Sequence, residues 1–458
     1  MTKFRKMLAI LLCTTIAAGM TACGGGTEES SDSTKEETTE ETTEKTTEET
    51  EEQTDSSETV TLSFQSWNPN DITIAPAMEA WAALDNGIEV NFECLDYNDY
   101  LQDLKIKLAA GEGPDIFGLQ DGTLMKEFDE YLVDITDLAK EKWGDDWESK
   151  FNPLYLQLIK GENEGYKGLP IGGTSSGYFY TNTTALAQYG IEAAPTNYDE
   201  LKADCDKIRK AGGTTMVSCI EQGWFGIDVF MSIAGDINQE KMYDAIAGEA
   251  DWTDPELVEA FDIFQKLFSE GICVDGQMGG VDQEQYFAID QTSPFKMDGA
   301  WFYSTLANSD VYKEAIANGA NFVPSTMDWN NDGKAAPVTT GPDVVLCINK
   351  NSKNLDAAWE YLSFMVTDGV TDMIDNNMAY LPPSTDYVLP EENFDQQAVD
   401  VFKFGVEKIS DGTAGYREIP YPDLKTAIIE QLQLLGLEET TPEEAAAVIQ
   451  AASEAQER

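Results

Sequence analysis

Residues able to recognise a small solute sit where apolar runs of this chain stop or start. Trp67 and Asn68 follow the run 59–64, Gln120 and Asp121 follow 115–119, Asp298 ends the run 295–298 just before Trp301, and Asp343 precedes 344–348. A flat ring covers an apolar face, while amide and carboxylate oxygens accept hydrogen bonds from hydroxyls. A pyranose ring presents both surfaces, so the chemistry these residues suit is recognition of a polyhydroxylated molecule. Trp67 and Trp301 also fit core tryptophans, and Asp121 a plain turn aspartate.

Other chemistries have little to work with. The chain has no histidine, which removes the commonest general base, metal ligand and pH switch. No pair of carboxylates stands out as a hydrolase acid and nucleophile. The flexible polar run from Gly172 to Gly177 lacks the lysine and helix start of a phosphate-binding P-loop. Asp328, Asn330, Asp332 and Gly333 match the first half of a calcium loop, but its twelfth position is Thr339. A calcium site and a polar surface turn both remain open there. No cofactor is expected.

Formal net charge is −55, which disfavours nucleic acid and anionic ligands. Cys94, Cys205, Cys219, Cys273 and Cys347 are an odd, scattered set rather than a disulfide framework; only a Cys205 to Cys219 bridge stays open.

The elements that must position these groups read as alternating strands and helices. Strands are expected at 59–64, 88–94, 115–119, 214–220, 295–298 and 344–348. A helix is expected over Ala75 to Leu84, and another carries Tyr97, Leu101, Leu104 and Leu108 on one face before Gly111. Asn197 with Glu200 predicts a helix start, Asp254 with Pro255 another, Asp356 to Met365 forms a helix, and Thr441 with Pro442 starts the last. The class is α/β, with no internal repeat of the kind an adhesin would show.

The N-terminus differs in kind. Lys3, Arg5 and Lys6 precede an apolar stretch too short to span a bilayer, as in a secretory signal. Met20, Thr21 and Ala22 before Cys23 resemble a bacterial lipobox, implying cleavage after residue 22 and lipidation of Cys23. Between Thr27 and Glu58 stand 14 acidic and 2 basic residues, a composition expected to form a disordered, extended tether over 23–58. The remaining ~400 residues exceed what one core normally organises.

Several ordered segments then resemble the family 1 extracellular solute-binding proteins of sugar transporters. They are the lipobox, Ser66 to Asn68 after the first strand, the helix-to-strand run Lys107 to Phe117, and Gly168 to Pro170 leading to Tyr178 through Asn182. Met297 to Trp301, Ile348 to Trp359 and the helix at Pro442 complete the set. The resemblance implies a two-lobed, type II periplasmic-binding-protein-like fold with a ligand cleft between lobes and hinge crossovers. It places one lobe at 59–167 plus 325–367 and the other at 168–324 plus 368–458. It also puts Thr174, Ser175 and Tyr178 beside the cleft, gives Trp224, after Glu221, the role of aromatic platform with Trp301 as companion, and lets Tyr416 and Arg417 close the site. Arg417 fits a surface ion pair equally well.

These readings converge on a monomeric, non-enzymatic receptor on the outer face of a bacterial membrane, held there by its lipid alone. It would capture a neutral di- or oligosaccharide and pass it to the permease subunits of an ABC importer. A cationic solute such as a polyamine, drawn by the acidic surface and held on aromatic rings, is the alternative ligand. A secreted carbohydrate hydrolase is the alternative from another class.

Overall fold

The computed structural model of the chain describes residues 59–160, 165–274 and 277–456. The expected signal segment, Cys23 and the tether to Glu58 lie outside the described residues. Among the described residues, eight strands join one sheet: β1 (Val60–Ser66), β2 (Ile88–Cys94), β3 (Ile116–Leu119), β4 (Leu169–Asn182), β5 (Phe295–Gly299), β6 (Phe322–Ser325), β7 (Thr339–Ile348) and β8 (Gly415–Tyr416). The order is β2-β1-β3-β7-β4-β5, with β6 against β4 and β8 against β7.

The first three strands are parallel neighbours, β1 lying between β2 and β3. Helices Asp71–Ala83 and Tyr97–Ala110 make the crossovers between them. The first helix starts four residues earlier than the sequence pattern suggests, because Asn70 Oδ1 accepts the N–H groups of Ile72 and Thr73 at 3.1 and 3.0 Å. The second buries Tyr100, Leu104 and Leu108 at four-residue spacing. It stops where Gly111 turns left-handed (φ 74°), with Gly111 N–H on Leu108 and Glu112 N–H on Lys107.

Along β3, β7, β4 and β5 each strand runs antiparallel to the next. The run Gly172 to Gly177, whose composition reads as a flexible polar run, lies inside β4 and is wholly buried. Its glycines explain this: a Cβ at Gly172 would meet the Tyr380 side chain at 2.3 Å, and one at Gly173 the Tyr155 hydroxyl at 2.0 Å. Small residues let two tyrosines press onto a strand whose register against β7 shifts at this point. The segment 214–220, expected as a strand, forms only isolated bridges at Met216 and Val217 and ends in a turn at Ile220.

The helix starts are capped unevenly. Asn197 accepts the Glu200 N–H at 3.0 Å and Thr441 Oγ1 the Glu444 N–H at 3.2 Å. Asp254, by contrast, makes no cap; its carboxylate is taken by Lys241 at 2.8 Å.

Two hydrophobic cores result. One gathers β1 to β3 and their helices, then Phe302, Phe322, Tyr361 and Phe402. The other gathers helices Tyr198–Lys210, Gly223–Ala247, Pro255–Ser269 and Pro422–Gly436 with Met327 and Trp329. β4 serves both: Tyr178 and Tyr180 enter the first core and Phe179 the second, as the two-residue side-chain period of a strand requires. The five described cysteines, Cys205 and Cys219 included, are free thiols. Among the described residues, no helix is long and apolar enough to cross a membrane.

Candidate functional site

A cleft of about 1070 Å³ opens at the ends of β1 and β3, the carboxyl edge where open α/β sheets collect their ligand-binding loops. Trp67, the first residue beyond β1, is half-buried, edge-on to Tyr97 with ring centres 5.3 Å apart and tilted against Tyr100 at 5.6 Å. Tyr97 opens its helix at the cleft and donates its hydroxyl to Gln120 Oε1 at 2.6 Å. Burial, with Glu418 next, pushes that phenol upward from its ordinary value, so it stays a neutral donor.

Trp224 and Trp301 also line the cleft, their ring centres 5.9 Å apart. Trp224 is the second residue of helix Gly223–Ala247 and is 39% exposed. Four residues on, and so on the same helical face, comes the buried Asp228. It accepts Arg417 Nε at 3.0 and 3.2 Å on its two oxygens and Arg417 Nη2 at 2.7 Å. Arg417 follows β8 directly, where its N–H donates to the Thr340 carbonyl at 3.1 Å. The guanidinium thereby lies 5.7 Å from the Trp224 ring centre and 5.5 Å from that of Trp301, within cation–π range.

The charges continue along the wall. Arg417 Nη1 is 3.7 Å from Glu418 Oε1, and Lys425 Nζ is 2.6 Å from Glu418 Oε2. Burial works to raise the Glu418 carboxyl, but Lys425 and Arg417 outweigh it and hold the group below its usual range. Asp343 comes out the other way: burial raises it against the opposing pull of Arg417 and of the Asn68 amide, which donates to Asp343 at 2.5 Å. Tyr303 and Tyr380 add buried rings to the lining, and the Tyr380 hydroxyl has no hydrogen-bond partner among the described residues.

Of the residues singled out from sequence, Trp67, Asn68, Gln120, Thr174, Trp224, Trp301, Asp343 and Arg417 line the cleft. Six others do not. Asp121 is buried near Gly341 with one oxygen unpartnered, and burial and then Glu418 push its carboxyl well up. Ser175 gives its hydroxyl to the Thr339 carbonyl at 2.7 Å and accepts the Tyr178 hydroxyl at 3.0 Å, which keeps Tyr178 in the first core. Glu221 lies beside Gly280. Asp298 is buried against Lys296 at 2.6 Å, and the Tyr416 ring packs on Tyr243 at 4.0 Å.

The loop at Asp328 closes on itself. The Asp328 carboxylate accepts the N–H groups of Asp332 and Gly333, and Asp332 accepts that of Lys334 and pairs with its ammonium. Among the described residues, no three His, Cys, Asp or Glu side chains gather as a metal site.

Tyr97, Asp228, Tyr303, Tyr380, Glu418 and Lys425 line the cleft without having been singled out. Asp228 carried a signal: it is the lone charge in the apolar stretch from Trp224 to Gly235. The tyrosines reach the cleft from helix starts and connecting segments, where nothing local marks them.

The family model for bacterial extracellular solute-binding proteins matches residues 66–372. A Brucella abortus chain named as a binding protein is 23% identical over 66% of this chain and 71% of its own length. A maltotriose-binding protein of Pyrococcus abyssi is 21% identical over 70% of this chain and 65% of its own. A solved structure from work on xylan utilization by Caldanaerobius polysaccharolyticus has a TM-score of 0.74 at 17% identity, over 86% of this chain and 99% of that chain. The fold is the two-lobed α/β arrangement of periplasmic binding proteins.

Proposed function

The chain belongs to the bacterial extracellular solute-binding proteins, and from that premise we propose that it captures a neutral di- or oligosaccharide in the Trp224–Trp301 cleft and delivers it to the permease of an ABC importer. The observation that carries this reading is a pair of tryptophans 5.9 Å apart beside amides, carboxylates and tyrosines in one cleft of about 1070 Å³. That volume is at the upper end of small-molecule sites, which span about 300–1,000 Å³, and suits more than one sugar ring. The relative named for maltotriose supports the same class. We read the protein as a receptor without catalytic activity, anchored outside the cell through Cys23.

A second reading is favoured by one observation: five carboxylates line the cleft, Asp96, Asp99, Asp228, Asp343 and Glu418, against two cations, Arg417 and Lys425. This balance suits a cationic solute such as a polyamine. A thermal-shift screen of the purified protein against neutral oligosaccharides and polyamines separates the two, because a ligand that binds only the folded state raises the melting temperature. A shift with a neutral sugar series supports the first reading; a shift with polyamines alone replaces it with the second.

A further inference from the structure

Among the described residues, the only cations lining the cleft, Arg417 and Lys425, are already paired with carboxylates that line it too. Asp228 holds Arg417 through two nitrogens, Glu418 lies against the third, and Lys425 reaches Glu418 from the helix Pro422–Gly436. The four side chains form a continuous alternating chain, Asp228, Arg417, Glu418, Lys425, with no net charge. Arg417 and Asp228 are 8% and 3% exposed as side chains, so water screens little of their attraction. Asp343, which also lines the cleft and interacts electrostatically with Arg417, is a further source of negative potential.

We propose that Asp228 and Glu418 set specificity by closing Arg417 and Lys425 to anionic ligands, so that the site accepts a neutral sugar and rejects its carboxylate- or phosphate-bearing counterpart. An entering anion has to displace Asp228 from a two-pronged contact, leaving a buried carboxylate unpaired, or approach past Asp343; both are costly. A neutral sugar makes neither demand. It can stack its ring on Trp224 and Trp301 and leave the ion chain intact. Asp228 is thus the residue whose charge decides which sugars fit, and neutralising it frees the guanidinium beside the tryptophan pair. The proposal rests on the reading of this cleft as the ligand site.

Calorimetric titration of the purified protein with maltotriose and cellotriose, and with the same trisaccharides oxidised to carboxylates at their primary alcohols, tests it. The wild type is expected to prefer a neutral form by at least about tenfold, and D228N to shrink that preference by about tenfold or reverse it. Equal or tighter binding of the oxidised form by the wild type, or an unchanged preference in folded D228N, overturns the proposal. Should D228N fail to fold by circular dichroism, E418Q, which frees Lys425 and one face of Arg417, takes its place with the same expected direction.

A second arm needs no sugar. Sodium sulfate at constant ionic strength should leave wild-type tryptophan fluorescence without a saturable change and produce one in D228N; saturable quenching of the wild type overturns the proposal. If neither neutral trisaccharide binds while the sulfate result is as expected, the neutral-oligosaccharide reading falls and the exclusion of anions stands.

Discussion

Asn68 and Asp343, 275 positions apart in the chain, are joined by a hydrogen bond from the Asn68 amide to an Asp343 carboxylate oxygen. The contact fixes the loop after β1 to the middle of β7 and presents the rest of the Asp343 carboxylate to the cleft. Burial lifts this carboxyl above its usual range while Arg417 and Asn68 oppose the lift. Ligand affinity that depends on an ionised Asp343 should therefore be lost as pH falls, at a pH above that at which an ordinary aspartate titrates. Titrations at stepped pH should show this loss in the wild type and a flatter profile in D343N; parallel profiles would remove Asp343 from ligand recognition.

Trp224 is the most exposed ring of the site, so its removal separates binding from folding. W224A should weaken ligand binding by about 1 kcal/mol or more through lost stacking. Unfolding stability should change by less than about 1 kcal/mol, since much of the ring is already solvated. Calorimetry and urea denaturation of the same preparation check both halves.

Gly299 ends β5 directly beneath Trp301, and a Cβ there would meet the Trp301 ring at 2.1 Å. G299A should displace the ring, costing about 1–3 kcal/mol of stability as an overpacked site. It should also weaken ligand binding, although Gly299 does not line the cleft. Stability lost with affinity unchanged would show that the position of Trp301 is immaterial to the ligand.

Asp236 accepts the N–H groups of Trp329 at 2.6 Å and Asn330 at 3.1 Å, yet burial, with Asp328 and Asp332 nearby, raises its carboxyl to about 7. The folded protein then holds this proton more tightly than the unfolded chain, whose aspartate titrates near pH ~4. Its contribution to stability is greatest below pH ~4 and declines as pH rises toward 7. D236N keeps an acceptor for both N–H groups but cannot ionise. The wild type should lose stability relative to D236N across that interval, as measured by urea denaturation at stepped pH; a constant difference would refute the assignment.

The parallel half of the sheet was legible because its signals are local. β2 runs over the expected residues 88–94, and the Tyr97 helix stops at the glycine that marks its end. Gly172 to Gly177 misled because composition alone cannot distinguish glycines that loosen a loop from glycines that admit Tyr155 and Tyr380 onto a strand. The site divides in the same way. Trp67, Gln120 and Trp301 sit at strand ends that the sequence marks, whereas Tyr303, Tyr380 and Glu418 reach the cleft only through long-range packing. The family resemblance places Tyr178 beside the cleft, but Ser175 and Phe404 hold it in the core.

The alternation of β4 between two cores makes this strand sensitive to reading frame as well as to composition. Inserting or deleting one residue ahead of Tyr178 would exchange Phe179 with its tyrosine neighbours, driving hydroxyls into one interior and a bare ring into the other. Such a change damages both halves of the molecule at once, and no repacking within either half repairs it. A change of length in a loop at a strand end moves no side chain from one core to the other, so those loops are the part of the protein that can be reshaped for a new ligand while both interiors stay intact.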